Sequence, residues 1–465
     1  MYSSDQLKDL NRRAKLACFG SCLIHLILGS FYSWGNLNIY IVSYFKNLDP
    51  ETYAYLNIDM TAFIFPFMGF LMFLTTPIGI KIGNVVGFSL SCIFFSVLLA
   101  VSLFLAAFCE NFWLFVLFYA VIPSVFMGIL SSESIYVVVK YRIEKNYVNG
   151  LMMLFYGIGT ALANFIAYLT INPNNDLAQR LDKNDPDMYF SKEISRRVPD
   201  FLRILSIVYL IIGILGSNFM RLPEFEGFLD EPLVSRAEES EEKFEFVYAQ
   251  IENEKDDQKK YYVGLQENTE NSRFYNLKSV LKSWKFYHLF LIIFLGSPFG
   301  FFMVNYYKII GMMQINNDLN FVTIGSISGL VNGLARFAMP LVVRKVSFKI
   351  IFSVLIVLQM VMIPTLNSIM DNQALFGLWN ALALFCQGGM YALFPKVTFN
   401  TFGKNLYRDS YTFMLFAFVL ANLMHYVIAS ICLDLAGLWN VLWIYFSLCL
   451  VSFVLVVLFK EEKNV

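Results

Sequence analysis

Charged residues are scarce in this sequence. Asp, Glu, Lys and Arg make up 15% of its 465 residues, against about 25% in ordinary soluble domains. That shortfall excludes a water-facing surface over most of the chain. The charges that exist cancel, 35 basic against 35 acidic, so no global basic field argues for nucleic acid as a partner. Histidine is scarcer still, with three residues. There is no His-Glu-x-x-His helix, no histidine cluster and no nucleophile elbow, so an enzyme, a metal site and a bound cofactor are not expected. The seven cysteines (Cys18, Cys22, Cys92, Cys109, Cys386, Cys432 and Cys449) fall in or beside apolar runs, in no pattern that marks a metal site or a disulfide framework. Cys18 and Cys22, one helical turn apart, read as helix-packing residues. A cleavable signal peptide is not expected either. The first fifteen residues are polar, with Lys8, Arg12, Arg13 and Lys15 ahead of an apolar stretch too long for a signal h-region.

What is abundant is apolar surface. Hydrophobic residues reach 57% and mean hydropathy is +0.58. A hydrocarbon core about 30 Å thick needs about 20 apolar residues per helix. Runs of that size recur at 17–43, 58–80, 86–108, 112–139, 148–171 and 201–220, then at 286–311, 321–343, 348–369, 373–395, 411–433 and 438–459. The fold class this predicts is all-α and integral to a membrane, with twelve transmembrane helices in two pseudo-symmetric six-helix halves. An even number of spans before the centre gives both halves the same orientation, an arrangement found in two-lobed secondary transporters. The predicted division is 1–220 for the first half, 221–284 for a cytosolic charged linker and 285–465 for the second half. The linker holds EESEEKFEFVYAQIENEKDDQKK, has no run able to form a core, and carries a candidate amphipathic helix at 240–252. Lys81, Lys140, Arg142, Lys145, Arg344, Lys345, Lys349, Lys396, Lys404 and Arg408 all fall on one set of loops. The other short loops hold little that is basic beyond Lys46 and Lys308. By the positive-inside rule both termini are cytosolic, with the plasma membrane as the default location.

Ionisable side chains inside a span cost a few kcal/mol and default to functional hypotheses. Arg336 lies two-thirds through the eighth span, in GSISGLVNGLARFAMPLVV, too far from Arg344 and Lys345 to snorkel. With Asn332 and Ser328 or Gly329 it forms a polar or small face at helical spacing. A guanidinium there reads either as a carboxylate clamp or as the partner of a carboxylate on another helix or of a backbone carbonyl. Glu133, in SSESIYVVVKYR of the fourth span, is a candidate proton or gating residue, or a structural ion pair near the cytosolic surface. His25 shares a face with Gly29, Tyr32 and Asn36 in the first span, and His425 with Asn422 and Ala429 in the eleventh. Each is a pH-sensitive group or a packing residue. Gly-x-Gly in FYGIGTA reads as helix packing rather than a phosphate loop, because no P-loop lysine follows.

Several stretches resemble the major facilitator superfamily, in its oxalate/formate antiporter and monocarboxylate transporter branch. GGMYALFPKVTFNTFGKNLYRDSY is similar to that branch's paired glycines, aromatic-Pro break and Phe-Gly-x-Asn before the eleventh helix. LGSFYSWGNLNIYIVSYF, KYRIEKNYVNGLMMLFYGIGTA and NGLARFAMPLVVRK resemble its first helix, its 4–5 join and its Arg-bearing eighth helix. The resemblance implies alternating access around a central site in which Arg336 binds substrate. It also implies departures. The loop GIKIGNVVG lacks the family's Asp-Arg near Asn84, and PLVVRKVSFK lacks the matching Asp. The branch's first-helix Lys would fall near Asn36 and its eighth-helix Asp at Asn332. Its eleventh-helix Lys has only His425 as a counterpart. The usual proton relay is therefore absent.

The leading expectation is a secondary active transporter of a small organic anion of the monocarboxylate or dicarboxylate type. Arg336, Asn332, Tyr32, Asn36 and His425 would contact substrate, with Glu133 and His25 as proton or gating candidates. The partners expected are an anionic small molecule and the bilayer, with a monomeric functional unit. The alternatives are the same fold carrying an amino acid or other small metabolite, and a membrane sensor or scaffold that does not transport.

Overall fold

The computed structural model describes residues 4–141, 145–180, 188–223, 278–315 and 317–461. The 240–252 helix and nearly all of the 221–284 linker lie outside the described residues. Eleven helices among the described residues are long and apolar enough to cross a membrane. They are α1 Lys8–Leu48, α2 Ile58–Val86, α3 Phe88–Ala106, α4 Phe112–Lys140, α5 Val148–Ile171, α6 Lys192–Ser217, α7 Trp284–Met312, α8 Asp318–Val342, α9 Phe348–Ile369, α11 Ser410–Leu433 and α12 Leu435–Leu458. The twelfth, α10, opens the continuous helical run Gln373–Leu458 and ends at Gly403, which leaves helical geometry at φ 68°, ψ 177°. Asn380, Gln387 and the Gly388–Gly389 pair make α10 less apolar than its neighbours. The described residues contain one isolated β-bridge, Gln179 with Tyr189, and no strand.

Helix ends follow local chemistry. Asn side chains cap the starts: Asn111 accepts from Trp113 and Leu114 N–H (3.0 Å each), Asn372 from Ala374 and Leu375 (3.1 Å each), and Asn317 from Asn320 (3.2 Å). Each satisfies N–H groups that a helix start leaves without a partner. Gly403, between α10 and α11, and Gly437, in the first turn of α12, take φ 68° and 76°, backbone that side-chain-bearing residues rarely adopt. The first span runs about five residues beyond its predicted end, to Leu48, and is interrupted by a 3-10 turn at Ser30–Ser33. There Ser30 and Ser33 hydroxyls donate back to the Ile27 and Ser30 carbonyls, at 2.7 and 2.5 Å. Such back-bonding competes with the regular ladder and bends helices.

Lipid gives no hydrophobic drive for one helix to choose another, so small residues that permit close backbone approach decide the packing. The Gly-x-Gly of α5 shows this on both of its faces. A Cβ on Gly159 would sit 1.9 Å from the Leu26 carbonyl oxygen of α1, and one on Gly157 would sit 2.4 Å from the Gly329 carbonyl oxygen of α8. Thus α5 is wedged between α1 of its own half and α8 of the other. The halves meet again where α1 passes α7, with a Gly35 Cβ 2.1 Å from the Val304 carbonyl oxygen. A third contact joins α2 to α11, where Phe73 and Phe416 stack at 5.6 Å. Three seams therefore join the halves, α5 to α8, α1 to α7 and α2 to α11.

Because the atoms facing Gly159 are backbone, they cannot rotate aside. Gly159→Val is expected to destabilise the protein by about 1–3 kcal/mol through overpacking. Gly69→Ala, whose nearest neighbour would be 3.4 Å away, is expected to be nearly neutral. Thermal unfolding of the two purified variants checks the contrast.

Candidate functional site

The 3-10 turn of α1 places Tyr32 at the seam between the halves, opposite Arg336 of α8. Arg336 is 5% exposed. Its Nη2 donates to the Tyr32 hydroxyl oxygen at 2.9 Å, and its Nη1 lies 3.9 Å from the Met153 sulfur. Three tyrosine rings surround the guanidinium carbon, Tyr391 at 4.6 Å and Tyr32 and Tyr156 at 5.4 Å each. A cation over a ring face gains about 0.5–2 kcal/mol from the ring quadrupole, but rings do not neutralise its charge. Among the described residues no carboxylate pairs with Arg336, and its Nε–H has no partner. The alternative reading, a carboxylate partner on another helix, is not met among those residues.

The Tyr32 hydroxyl also accepts from Gln387 Nε2 at 3.0 Å. Gln387 Oε1 in turn accepts from Asn332 Nδ2 at 2.6 Å, and the same amide reaches the Leu384 carbonyl at 2.8 Å. With two donors on its oxygen, Tyr32 has its own O–H left to donate. The arrangement offers a buried cation, an N–H without a partner among the described residues and a hydroxyl with its proton left to donate, donors of the kind a carboxylate accepts from. Gly300 makes room for Gln387, since a Cβ there would meet Gln387 Cβ at 2.6 Å.

Of the five residues expected to contact substrate, the structure brings together Arg336, Asn332 and Tyr32. Asn36 belongs elsewhere. Its Oδ1 and carbonyl accept from Lys308 Nζ of α7, at 2.8 and 3.4 Å. Lys308, expected at an exposed loop, is fully buried and pairs with Asp318 of α8 at 2.6 Å. Its place inside α7 is possible because a carboxylate, an amide and the Tyr40 ring (4.1 Å) compensate it. His425 is also apart. Its ring sits against Phe301 (6.4 Å, stacked) and Tyr306 (6.3 Å, edge-on), and neither ring nitrogen has a partner among the described residues.

Glu133 joins neither Arg336 nor any other cation among the described residues. It is buried between α3 and α4, and its carboxylate accepts from Ser91 Oγ at 2.5 Å and Cys92 Sγ at 3.2 Å. The ion pair envisaged for it is replaced by two neutral donors. His25 donates from Nδ1 to the Ser21 carbonyl one turn earlier, at 2.9 Å, and its Nε2 has no partner among the described residues. Sequence reading missed Tyr156, Tyr391 and Gln387. Gln387 carried a usable signal, a long amide inside an apolar run, whereas two tyrosines among 26 did not stand out.

Comparison with known proteins adds the family. The model of the Major Facilitator Superfamily matches residues 23–423, from within α1 to within α11. Among curated proteins the chain is similar to Apicoplast pyruvate carrier 1 of Toxoplasma gondii, 22% identical over 463 residues, covering 89% of this chain and 82% of that protein. Two sets of membrane-length helices, the seams between them and a match over most of the chain lead to one conclusion: this is a multi-pass membrane transporter that belongs to the major facilitator superfamily.

Proposed function

We propose that the chain carries a small organic monoanion, of the short monocarboxylate class, by alternating access between its two halves. The observation that carries this reading is Arg336, a buried guanidinium at the seam with no carboxylate of its own among the described residues. Two of its contacts come from the first half, Tyr32 and Tyr156, and one from the second, Tyr391. A substrate held there touches both halves, as rocking about a central site requires. One uncompensated positive charge matches one negative charge on the solute. The pyruvate carrier similar to this chain supports a monocarboxylate, and pyruvate is the first solute to try. The family's branch, an exchange mode, the 221–284 linker and cytosolic termini belong to the same reading.

Uptake of labelled pyruvate into proteoliposomes tests it. Arg336→Ala is expected to abolish uptake while the protein still purifies as a monodisperse species, and Arg336→Lys to retain a small fraction, because an ammonium lacks the guanidinium fork. Uptake by the alanine variant at the wild-type rate would remove the mechanism. Tyr32→Phe deletes one charge-assisted hydrogen bond and the hydroxyl offered to substrate. A loss of about 1.5–3 kcal/mol predicts a rise in KM of about tenfold to a hundredfold, read from initial rates.

A further inference from the structure

Tyr32, Asn36 and Tyr40 stand at i, i+4 and i+8 on α1, one stripe along a single face. Each bonds to the second half. Tyr32 meets Arg336 and Gln387, Asn36 meets Lys308 (2.8 Å), and the Tyr40 hydroxyl donates to Asp318 Oδ2. Asn172, just past the end of α5, adds a donor to the same Asp318 oxygen at 2.7 Å. Lys308 and Asp318 are 0% and 1% exposed. A buried ion pair is held this tightly only when further hydrogen bonds satisfy its remaining donors and acceptors. Here those bonds come from across the seam.

We propose that Lys308 and Asp318 form the latch that closes the carrier at the end where α1 finishes and α8 begins. Both charged residues lie in the second half, on α7 and α8, and their neutral partners Asn36, Tyr40 and Asn172 lie in the first. Parting the halves at this end breaks the bonds to the neutral groups and leaves the ion pair whole. No lone charge is left in a low-dielectric interior, the state that makes breaking a buried ion pair costly. Opening the latch breaks only a few neutral-to-charged hydrogen bonds, and water entering the parted seam replaces them. A pair divided between the halves would have to be torn apart in every cycle. The stripe on α1 also ties the latch to the substrate site, because Tyr32 and Asn36 are one helical turn apart. This inference rests on the alternating-access reading and is independent of which solute is carried.

The test is thiol accessibility in purified protein, with no substrate needed. A reporter cysteine replaces Asn305, whose side chain reaches from α7 to the Ala62 carbonyl of α2 at 3.1 Å. A second reporter, in a separate protein, replaces Phe416 at the α2–α11 seam nearer the other end. Labelling by a polar maleimide is measured against the same backgrounds lacking the reporter. In Asn36→Ala, Tyr40→Phe the Asn305 reporter is expected to label at least fivefold faster, and the Phe416 reporter no faster. Lys308→Met with Asp318→Leu, which removes both charges and leaves neither unpaired, is expected to do the same. Unchanged labelling at Asn305 in either variant overturns the proposal. Equal acceleration at both reporters also overturns it, since that is loosening of the whole protein and not opening at one end. Loss of pyruvate uptake by the wild type with a working latch would instead count against the substrate reading alone.

Discussion

Burying a cation in a protein that is itself surrounded by hydrocarbon costs several kcal/mol unless something stabilises the charge, and the interior of this carrier is organised around how that cost is met. The buried charged residues among those described are Glu133, Lys308, Asp318 and Arg336. Lys308 and Asp318 neutralise each other. Glu133 is held by a hydroxyl and a thiol between α3 and α4, away from the seam. Arg336 alone combines a full charge, a place between the halves and no counter-ion among the described residues. Its three tyrosine rings and one phenol oxygen reduce the cost of burial without cancelling the charge. A site in that condition gains free energy from any anion that fits, and the gain is greatest where water is excluded.

How much of this could be read from the sequence depended on whether a residue was out of place in its own segment. Twelve apolar runs announce themselves, because a span has a required length and little else in a chain has it. Arg336 announces itself for the same reason, as a charge where the run should be apolar. Lys308 and Asp318 do not. Each stands near the end of its span, where a charge normally meets water, and nothing in the local pattern tells a solvated end from a buried pair. Their burial follows from α1 and the end of α5 covering that end of α7 and α8, a tertiary fact. Asn36 shows the opposite failure. The resemblance placed it at the position of a functional lysine, which suggested direct contact with substrate, yet an ammonium does reach that place, delivered from α7.

The glycines belong to the same logic. Gly157 and Gly159 were legible as packing residues, but the identity of their partners was not. With α5 backbone against α1 on one side and α8 on the other, Tyr156 is carried into the ring around Arg336. Side chains larger than hydrogen at these positions would push Tyr156 away from a cation it approaches to 5.4 Å. Packing in the first half and the chemistry of the second are thereby fixed by one pair of residues.

The two cations along α1 can be compared directly. Lys308 has a tyrosine ring (Tyr40), an amide (Asn36) and a carboxylate supplied by the chain, and the tyrosine hydroxyl donates to that carboxylate. Arg336, two turns along the stripe, has a tyrosine ring (Tyr32) and an amide (Gln387) joined through the tyrosine oxygen, and the carboxylate is what differs. Asp318 completes the constellation at Lys308 as a carboxylate that pairs with the cation and accepts the tyrosine hydrogen bond. The hydroxyl of Tyr32, which accepts from both Arg336 and Gln387, has its proton available for the same task. A solute carboxylate seated there would repeat at Arg336 the contacts Asp318 makes at Lys308, and would join the halves through Tyr32 as Asp318 joins them through Tyr40. The difference is that one carboxylate is covalently part of the protein and stays, whereas a solute carboxylate would be free to leave, and departure is what a carrier needs from its ligand.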